Sequence, residues 1–323
     1  MKVRMTTYSN RPCDYLQDLE KLMPFWLDWR VASDIRLYPT IWRIRLLLTS
    51  RVWDQVRDAR IWETESGQIV GFSMLWRRQS SSPYLALENY LQPSLPNNNI
   101  FPEMLKWGAG RANEIAAEQN KSLTLYTSDY SQSTYSVNYL VQNGYSQLAP
   151  NPDDHNLYME RNLKNKISLP SLPLGYSIQK LRDLRDLESY QALYGFSYVN
   201  PLHRRELLES DEYCHLVVEG QRKNILAYCE CSICREEWKR TNQRIGWIDY
   251  IETKPDAQKQ GFGKAVLSAG LSQLINWGAE IAMLVTVSTN TPALQLYKNA
   301  GFEPVDVAEP PSYEKQIIVS VNR

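Results

Sequence analysis

Cysteine is scarce in this sequence. Five in 323 residues is an odd and sparse set, which implies no disulfide framework. Long apolar runs are missing too: none approaches the roughly 20 residues needed to cross a bilayer. Residues 1–8 carry no hydrophobic core of the kind a signal peptide needs. A cytoplasmic protein with no membrane partner is therefore expected. Nor is there an excess of charge of either sign, since Lys+Arg and Asp+Glu number 36 each. That balance argues against a general nucleic-acid or polyanion binder, so no nucleic-acid partner is expected.

Cys229, Cys231 and Cys234 do cluster, with Cys214 and His215 upstream, and a metal site is one reading of them. The spacing lacks the paired C-x-x-C of zinc sites. Ile225, Ala227, Cys229, Cys231 and Ile233 alternate with other residues, which puts two cysteines on the apolar face of a strand and Cys234 on the opposite face. Core cysteines and no metal are expected.

What is present is a soluble, globular composition, 43% hydrophobic and 22% charged, in a chain long enough for two domains. In the first half, residues 2–7 read as a short strand and residues 13–29 and 35–48 as helices, the second with Pro39 near its start. A hairpin over 59–76 and a strand over 84–91 follow, then a helix from about 101 to 118. A strand over 123–127, a helix over 133–142 stopped by Asn143-Gly144, and a last strand over 157–161 complete it. Residues 163–174, with Pro170 and Pro173, read as a linker.

The second half repeats this order. Residues 176–181 read as a strand, 184–196 and 203–208 as helices, and 214–219 with 225–234 as a hairpin. A strand over 244–253, a helix over 262–277, a strand over 281–287, a helix over 292–299 and a closing strand over 313–319 follow. Ile69-Val70-Gly71-Phe72 parallels Ile225-Leu226-Ala227-Tyr228, an offset of 156 (69 to 225), and Gly144 parallels Gly301, an offset of 157. Two distant anchors with nearly one offset indicate a duplicated domain. Strands alternating with helices predict an α/β (α+β mixed-sheet) fold, with domains at 1–162 and 175–323.

The centre of the second half is Gln258-Lys259-Gln260-Gly261-Phe262-Gly263. Two glycines between a buried strand and an amphipathic helix let backbone approach a ligand, and the first helical N–H groups and the helix dipole favour an anion. Gln258-x-x-Gly261-x-Gly263 is similar to the Q/R-x-x-G-x-G/A signature of GNAT-type N-acetyltransferases. Asn290-Thr291-Pro292-Ala293-Leu294-Gln295-Leu296-Tyr297-Lys298-Asn299-Ala300-Gly301-Phe302 resembles that family's N-x-x-A-x-x-x-Y-x-x-x-G-F stretch at every marked position. The resemblance covers residues 175–323 well and the first half in outline, so the chain resembles a tandem GNAT protein, with two GNAT-like acyl-CoA N-acyltransferase domains.

The resemblance implies an acetyl-CoA-dependent N-acetyltransferase. Gln258, Lys259, Gln260, Gly261, Phe262, Gly263 and Lys264 would wrap the pyrophosphate of coenzyme A. Ile251 and Thr253 would offer backbone to the pantetheine arm, and Asn290 would hydrogen-bond the cosubstrate. Tyr297 would protonate the departing thiolate, although core packing also accounts for a tyrosine there. Asp249, a carboxylate in an apolar strand, is the chosen general base; Glu252 or a water are competitors, and a carboxylate binding a cationic substrate is as good a reading. The acceptor is a small-molecule or peptide amine of unread identity, and the protein a monomer or homodimer. A non-catalytic acyl-CoA-binding or scaffold protein is the alternative.

The first half is expected to be silent. An offset of 157 carries Gln258, Gly261 and Gly263 to Phe101, Met104 and Lys106, and Tyr297 to Leu140, which donates no proton. Gly108-Ala109-Gly110 is another G-x-G, read as small-residue helix packing rather than a second phosphate loop. Trp26, Trp29, Trp42 and Trp53 lie on early helices, where substrate-side elements of this fold often fall.

Overall fold

The computed structural model describes residues 8–48, 54–77, 82–93, 95, 100–131, 133–151, 153–164, 167, 170–181, 208–220 and 224–319. The strand expected over 2–7, the helix over 184–196, most of that over 203–208, and Trp53 fall outside these residues. Two compact units emerge, and neither is contiguous in sequence. One takes Met1–Ser33, Ser50–Ala149 and Ala308–Arg323; the other takes Asp34–Thr49 and Pro150–Val307.

The first unit is built on a seven-stranded sheet of order β1-β2-β3-β4-β5-β14-β6. Its strands are β1 (Tyr8–Pro12), β2 (Ala59–Thr64), β3 (Ile69–Trp76), β4 (Tyr84–Leu91), β5 (Leu123–Ser128), β6 (Ser146–Gln147) and β14 (Ser312–Ile317). The β2–β3 hairpin turns at Gly67, whose φ is +79°. Helices α1 (Tyr15–Ala32), α3 (Gln55–Asp58), α4 (Ile100–Gln119) and α5 (Thr134–Gln142) complete the unit. Asp14 caps α1 and Ser133 caps α5 through their side-chain oxygens. Helix α5 stops before Gly144, which takes the left-handed φ of +78°.

The second sheet has order β13-β7-β12-β11-β10-β9-β8. It comprises β7 (Asn156–Asn162), β8 (Ser177–Lys180), β9 (Tyr213–Glu219), β10 (Ile225–Ile233), β11 (Ile245–Thr253), β12 (Ile281–Val287) and β13 (Glu303–Pro304). Helices α2 (Ile41–Leu48), α6 (Arg235–Thr241), α7 (Phe262–Trp277) and α8 (Thr291–Asn299) belong to the same unit. The core under α7 collects Cys229, Ile248, Phe262, Val266, Leu271, Leu284 and Phe302. Cys214, Cys229 and Cys231 are all buried in it, with the Cys214 and Cys231 sulfurs 3.4 Å apart on directly paired residues. Cys234 instead leads into α6.

Three placements differ from the sequence reading. The strand expected to close the first half is β7, which lies in the second sheet and pairs along its whole length with β12, from Ile281↔Asn162 to Val287↔Asn156. The strand expected to close the second half is β14, which pairs with β5 in the first sheet. The halves thus exchange their last strands, and the boundaries 1–162 and 175–323 do not outline the compact units. A period-2 pattern marks a strand without naming its partner. Third, the helix expected over 35–48 begins only at Ile41. Pro39 disfavours helical backbone at Tyr38 before it, and Thr40 caps the helix from just ahead of its first residue.

In helix α4, a Cβ on Gly108 would meet the Leu87 side chain of β4 at 2.3 Å, whereas one on Gly110 would meet nothing within 4 Å. The first glycine permits close helix–sheet packing and the second does not need to be glycine. Gly270 holds the corresponding place in α7, nine residues into the helix as Gly108 is in α4, and a Cβ there would meet the Cys229 sulfur at 2.7 Å. Gly108→Ala is expected to destabilise the protein by about 1–3 kcal/mol from overpacking, partly offset by about 1 kcal/mol of helix propensity. Gly110→Ala carries only the favourable propensity, so the two variants should move the urea midpoint in opposite directions.

Candidate active site

Strands β11 and β12 run parallel but pair at only three positions, Ile245↔Ile281, Gly246↔Ala282 and Trp247↔Met283. Beyond that rung they part. Their outer edges stay fully laddered, β12 against β7 to Val287 and β11 against β10 to Thr253. The gap therefore opens between β11 and β12 alone, and it frees the backbone N–H and C=O groups of residues 248–253 on one side. Ile251 and Thr253 lie on this freed stretch.

The β10–β11 ladder shifts register here. Cys231 pairs with Ile248 and Glu230 with Tyr250, so Asp249 is the extra residue of a β-bulge. The bulge breaks the simple alternation by which Trp247 and Asp249 would share one face, and it re-aims the Asp249 carboxylate. Oδ1 accepts from the Thr40 hydroxyl at 2.7 Å, and Oδ2 accepts from the Ser232 hydroxyl. Withdrawal from water pushes its pKa from 3.8 up to about 6, with Glu230 adding to the rise while Ser232, Thr40 and Arg43 oppose it. Glu252, the competitor, is engaged otherwise: its Oε2 accepts from Tyr250 at 3.1 Å and Tyr228 at 3.5 Å. Those two rings stack 5.4 Å apart.

A 3-10 turn at Pro255–Ala257 follows β11 and leads to the glycine loop. Lys259 and Gly261 both have positive φ, +62° and +86°. Gly261 is the N-cap of α7 and no side chain caps that helix, so the N–H groups of its first turn are not claimed by a side chain. A Cβ at Gly261 would point into open space, and one at Gly263 would meet the Thr253 hydroxyl at 3.0 Å. The loop is thus an uncapped helix end with hydrogen atoms where side chains would stand, chemistry suited to a phosphate. Gln258 Nε2 donates to the Thr253 carbonyl at 3.4 Å and Gln260 Nε2 to the Asp256 carbonyl at 3.3 Å, both holding the loop. Lys264 sits in the first turn of α7 and Phe262 is buried beneath it.

Helix α8 starts at Asn290, whose Oδ1 accepts from the Ala293 N–H at 3.3 Å. Its oxygen thus serves the helix as a cap, and its amide NH2 is the part left for a ligand. Tyr297 is buried, 6% exposed, with its ring 6.1 Å from Phe302. Burial, together with the nearby Cys229 and Tyr250, raises its pKa well above the ordinary phenol value, so it stays protonated. Among the described residues its hydroxyl makes no hydrogen bond. Strand β7 supports this helix from below: Arg161 donates to the Ala300 carbonyl at the end of α8.

Within residues 34–49, sequence reasoning singled out Trp42 but missed Tyr38 and Thr40. Trp42 donates to the Ile233 carbonyl at 2.9 Å and stacks on Tyr213 at 5.3 Å. The Tyr38 N–H donates to the Tyr158 hydroxyl at 3.3 Å, and Thr40 reaches Asp249. No local signal marks a partner 209 residues away. Trp26 and Trp29, by contrast, are core residues of the first unit, packed edge-on against Tyr90.

The first unit has the same strand–helix frame with different fittings. Helix α4 starts at Ile100 and α7 at Phe262, an offset of 162 rather than 157. Phe101, Met104 and Lys106 therefore lie within α4, and Phe101, itself buried, takes the place of Gly263. Gly108 and Gly110 are mid-helix and form no loop. Just past the last β4–β5 rung, Leu87↔Thr127, the buried Asn89 donates to Thr127 at 3.2 Å and accepts from Ser73 at 2.6 Å. A side-chain bridge thus spans the strands there. Leu140, fully buried, stands where Tyr297 does in α8.

Residues 179–302 match the model of the Acetyltransferase (GNAT) family. A stretch of 58 residues is 41% identical to the mycothiol acetyltransferase of Pseudarthrobacter chlorophenolicus, covering 18% of each chain. The chain thus matches less than a fifth of that relative's length. Among solved structures, a tandem GNAT protein from the clavulanic acid biosynthesis pathway superposes with a TM-score of 0.60 at 13% identity, over 97% of this chain and 100% of that one. A GCN5-related N-acetyltransferase from Sphaerobacter thermophilus gives 0.55 at 14% identity, over 98% of both. The fold is that of a tandem GNAT protein, and the family match falls in its second half.

The raised pKa of Asp249 has a sign that can be checked. Its folded value of about 6 lies above the ordinary 3.8, so the native state holds the proton more tightly than the unfolded chain. This group's contribution to stability is then most favourable below about pH 4 and declines as pH rises to about 6. Asp249→Asn should flatten that stretch of the stability–pH curve, as read by urea unfolding from pH 4 to 8; an unchanged slope would contradict a half-buried carboxylate that holds its proton.

Proposed function

We propose that the second unit transfers an acetyl group from acetyl-CoA to a primary amine, by direct attack of the amine in a ternary complex. The observation that carries this is the conjunction of the β11–β12 gap with the uncapped, glycine-bearing start of α7 at its mouth. A thioester cosubstrate with a pyrophosphate and a peptide-like arm needs both. The N–H groups of Gly261, Phe262, Gly263 and Lys264 hold the pyrophosphate, with Gln258, Lys259 and Gln260 shaping the loop. The pantetheine amides pair with freed backbone at Ile251 and Thr253, as an added strand would. Asn290 supplies its amide NH2 to the cosubstrate from the far side of the gap.

The chemistry divides between two side chains. The amine must lose a proton before or as it attacks the thioester carbonyl, and Asp249, with a pKa of about 6, is charged at neutral pH and basic enough to accept it. A freed backbone N–H of β11 faces the oxygen on which negative charge develops. When the C–S bond breaks, the thiolate takes the Tyr297 proton; burial keeps that phenol neutral until then. The first unit, with Phe101 in place of Gly263, the Asn89–Thr127 bridge and Leu140 in place of Tyr297, is silent. The mycothiol acetyltransferase relative supports acetyl transfer to a small-molecule amine as the reaction class.

The test is acetyl-CoA turnover, followed as free-thiol release, with a panel of small-molecule and peptide amines. Tyr297→Phe should lower kcat by 10²–10⁴-fold, the usual range for a lost general acid, with acetyl-CoA affinity by calorimetry nearly intact. Gly261→Val should do the reverse and abolish binding, because valine resists positive φ. Tight acetyl-CoA binding with no transfer to any amine would leave an acyl-CoA-binding scaffold as the better reading.

A further inference from the structure

We infer that Thr40, at the N-terminus of α2, is a positioning residue for the Asp249 carboxylate, so that residues 34–49 form a working part of the second unit's site. This rests on the acetyl-transfer reading for its consequence in rate, though its geometric content stands apart from it.

The hydrogen bonds fix the polarity of the contact. The Thr40 Oγ1 accepts from the Arg43 N–H at 3.1 Å, and its backbone carbonyl accepts from the Ile44 N–H at 2.9 Å, the pattern of a helix N-cap. While its oxygen accepts from Arg43, the hydroxyl donates its one proton to Asp249 Oδ1, 2.7 Å away. Thr40 is 3% exposed, so water does not substitute for either partner. Asp249 therefore faces the positive end of a helix through one hydroxyl. Ser232, on the neighbouring strand β10, holds the other oxygen.

Two donors on one bulged carboxylate fix its rotamer and favour its charged form. Other groups act on it as well. Glu230 of β10 raises its pKa and Arg43 of α2 lowers it, while the neutral Tyr213 of β9 and Cys229 and Cys231 of β10 lie close enough to feel its charge. Thr40 joins the carboxylate to the N-terminus of α2 by a direct hydrogen bond. The helix is itself held in place by Trp42 on Ile233 and Tyr213, and Leu46 packs on Tyr213. A threonine far from the glycine loop in sequence thereby holds, and helps lower the proton affinity of, the group that takes the amine's proton.

The experiment titrates Asp249 in the full chain by carboxyl 13C NMR, its signal assigned by its loss in Asp249→Asn. Thr40→Val keeps the shape and removes the donor. The Asp249 midpoint should rise by about one pH unit, a tenfold change in the charged-to-neutral ratio, and Thr40→Ser should restore it. If valine loosens α2, as a lowered melting temperature would show, Thr40→Cys provides a similar shape with a much weaker donor and should give a smaller rise in the same direction. An unmoved midpoint in a folded Thr40→Val or Thr40→Cys protein overturns the inference. The acidic limb of kcat/KM for acetyl transfer to the best amine of the panel should shift with the NMR midpoint. A midpoint that moves while the rate profile stays put upholds the positioning by Thr40 and removes Asp249 from the role of base.

Discussion

The parting of β11 from β12 after three rungs is the constraint on which the rest of the second unit depends. A parallel pair normally continues to bond along its shared length, and the free N–H and C=O groups left by an early break are costly unless something meets them. Here both strands keep their outer ladders, β10 on one side and β7 on the other, so the break is held open rather than being a frayed edge. The bulge at Asp249 turns β11 away just past the last rung. The glycine loop then brings the start of α7 to the mouth of the opening. Sheet, bulge and helix end are one device, and each is of little use without the others.

Strand exchange enters through the same device. Strand β7 closes the outer edge of β12 over seven pairs, and its Arg161 holds the end of the helix that carries Tyr297. Without β7, β12 would be an edge strand beside an open gap, with bonding groups unmet on both sides. A segment from the first half of the sequence therefore supports the sheet and helix on which the second half's candidate site is built. The same holds for residues 34–49, which reach Asp249 and Tyr158 from the early chain. The duplicated domain is not two beads joined by a linker; each compact unit is assembled from separate stretches of sequence.

Legibility in the sequence divides along the same line. The glycine loop was legible because its requirements are local: positive φ at Gly261 and a missing side chain at Gly263 can be met only by residue type. The stops at Gly144 and Gly301 were legible for the same reason, and the buried cysteines because they ride on strands with clear alternation; Tyr297 was marked by the motif resemblance alone. Partner choice was not legible. The alternation in 157–161 reads the same whether the strand pairs with β5 or β12, and nothing near Thr40 announces a carboxylate 209 residues on. The offset of 157 held for the α5–α8 pair and failed by five residues at α4, because a repeat tolerates insertions between elements while keeping the elements themselves. Phe101 was paired with Gln258 by that arithmetic and stands with Gly263 in space.

Asp249 shows why such a site is kept under tension. A carboxylate in a core strand is withdrawn from water and lies near Glu230, and both effects work against its charge. Two hydroxyl donors and the Arg43 charge of α2 work for it. The balance leaves the pKa near 6, where the group is charged at neutral pH yet more basic than an exposed aspartate. An apolar residue there would pack at less cost, and full hydration would leave the carboxylate a weaker base. The first unit illustrates the relaxed alternative. Its Ser73–Asn89–Thr127 bridge satisfies each buried polar group with a neutral partner and carries no charge at all. Stability is easier to reach in that arrangement, and the ability to take a proton is what it gives up.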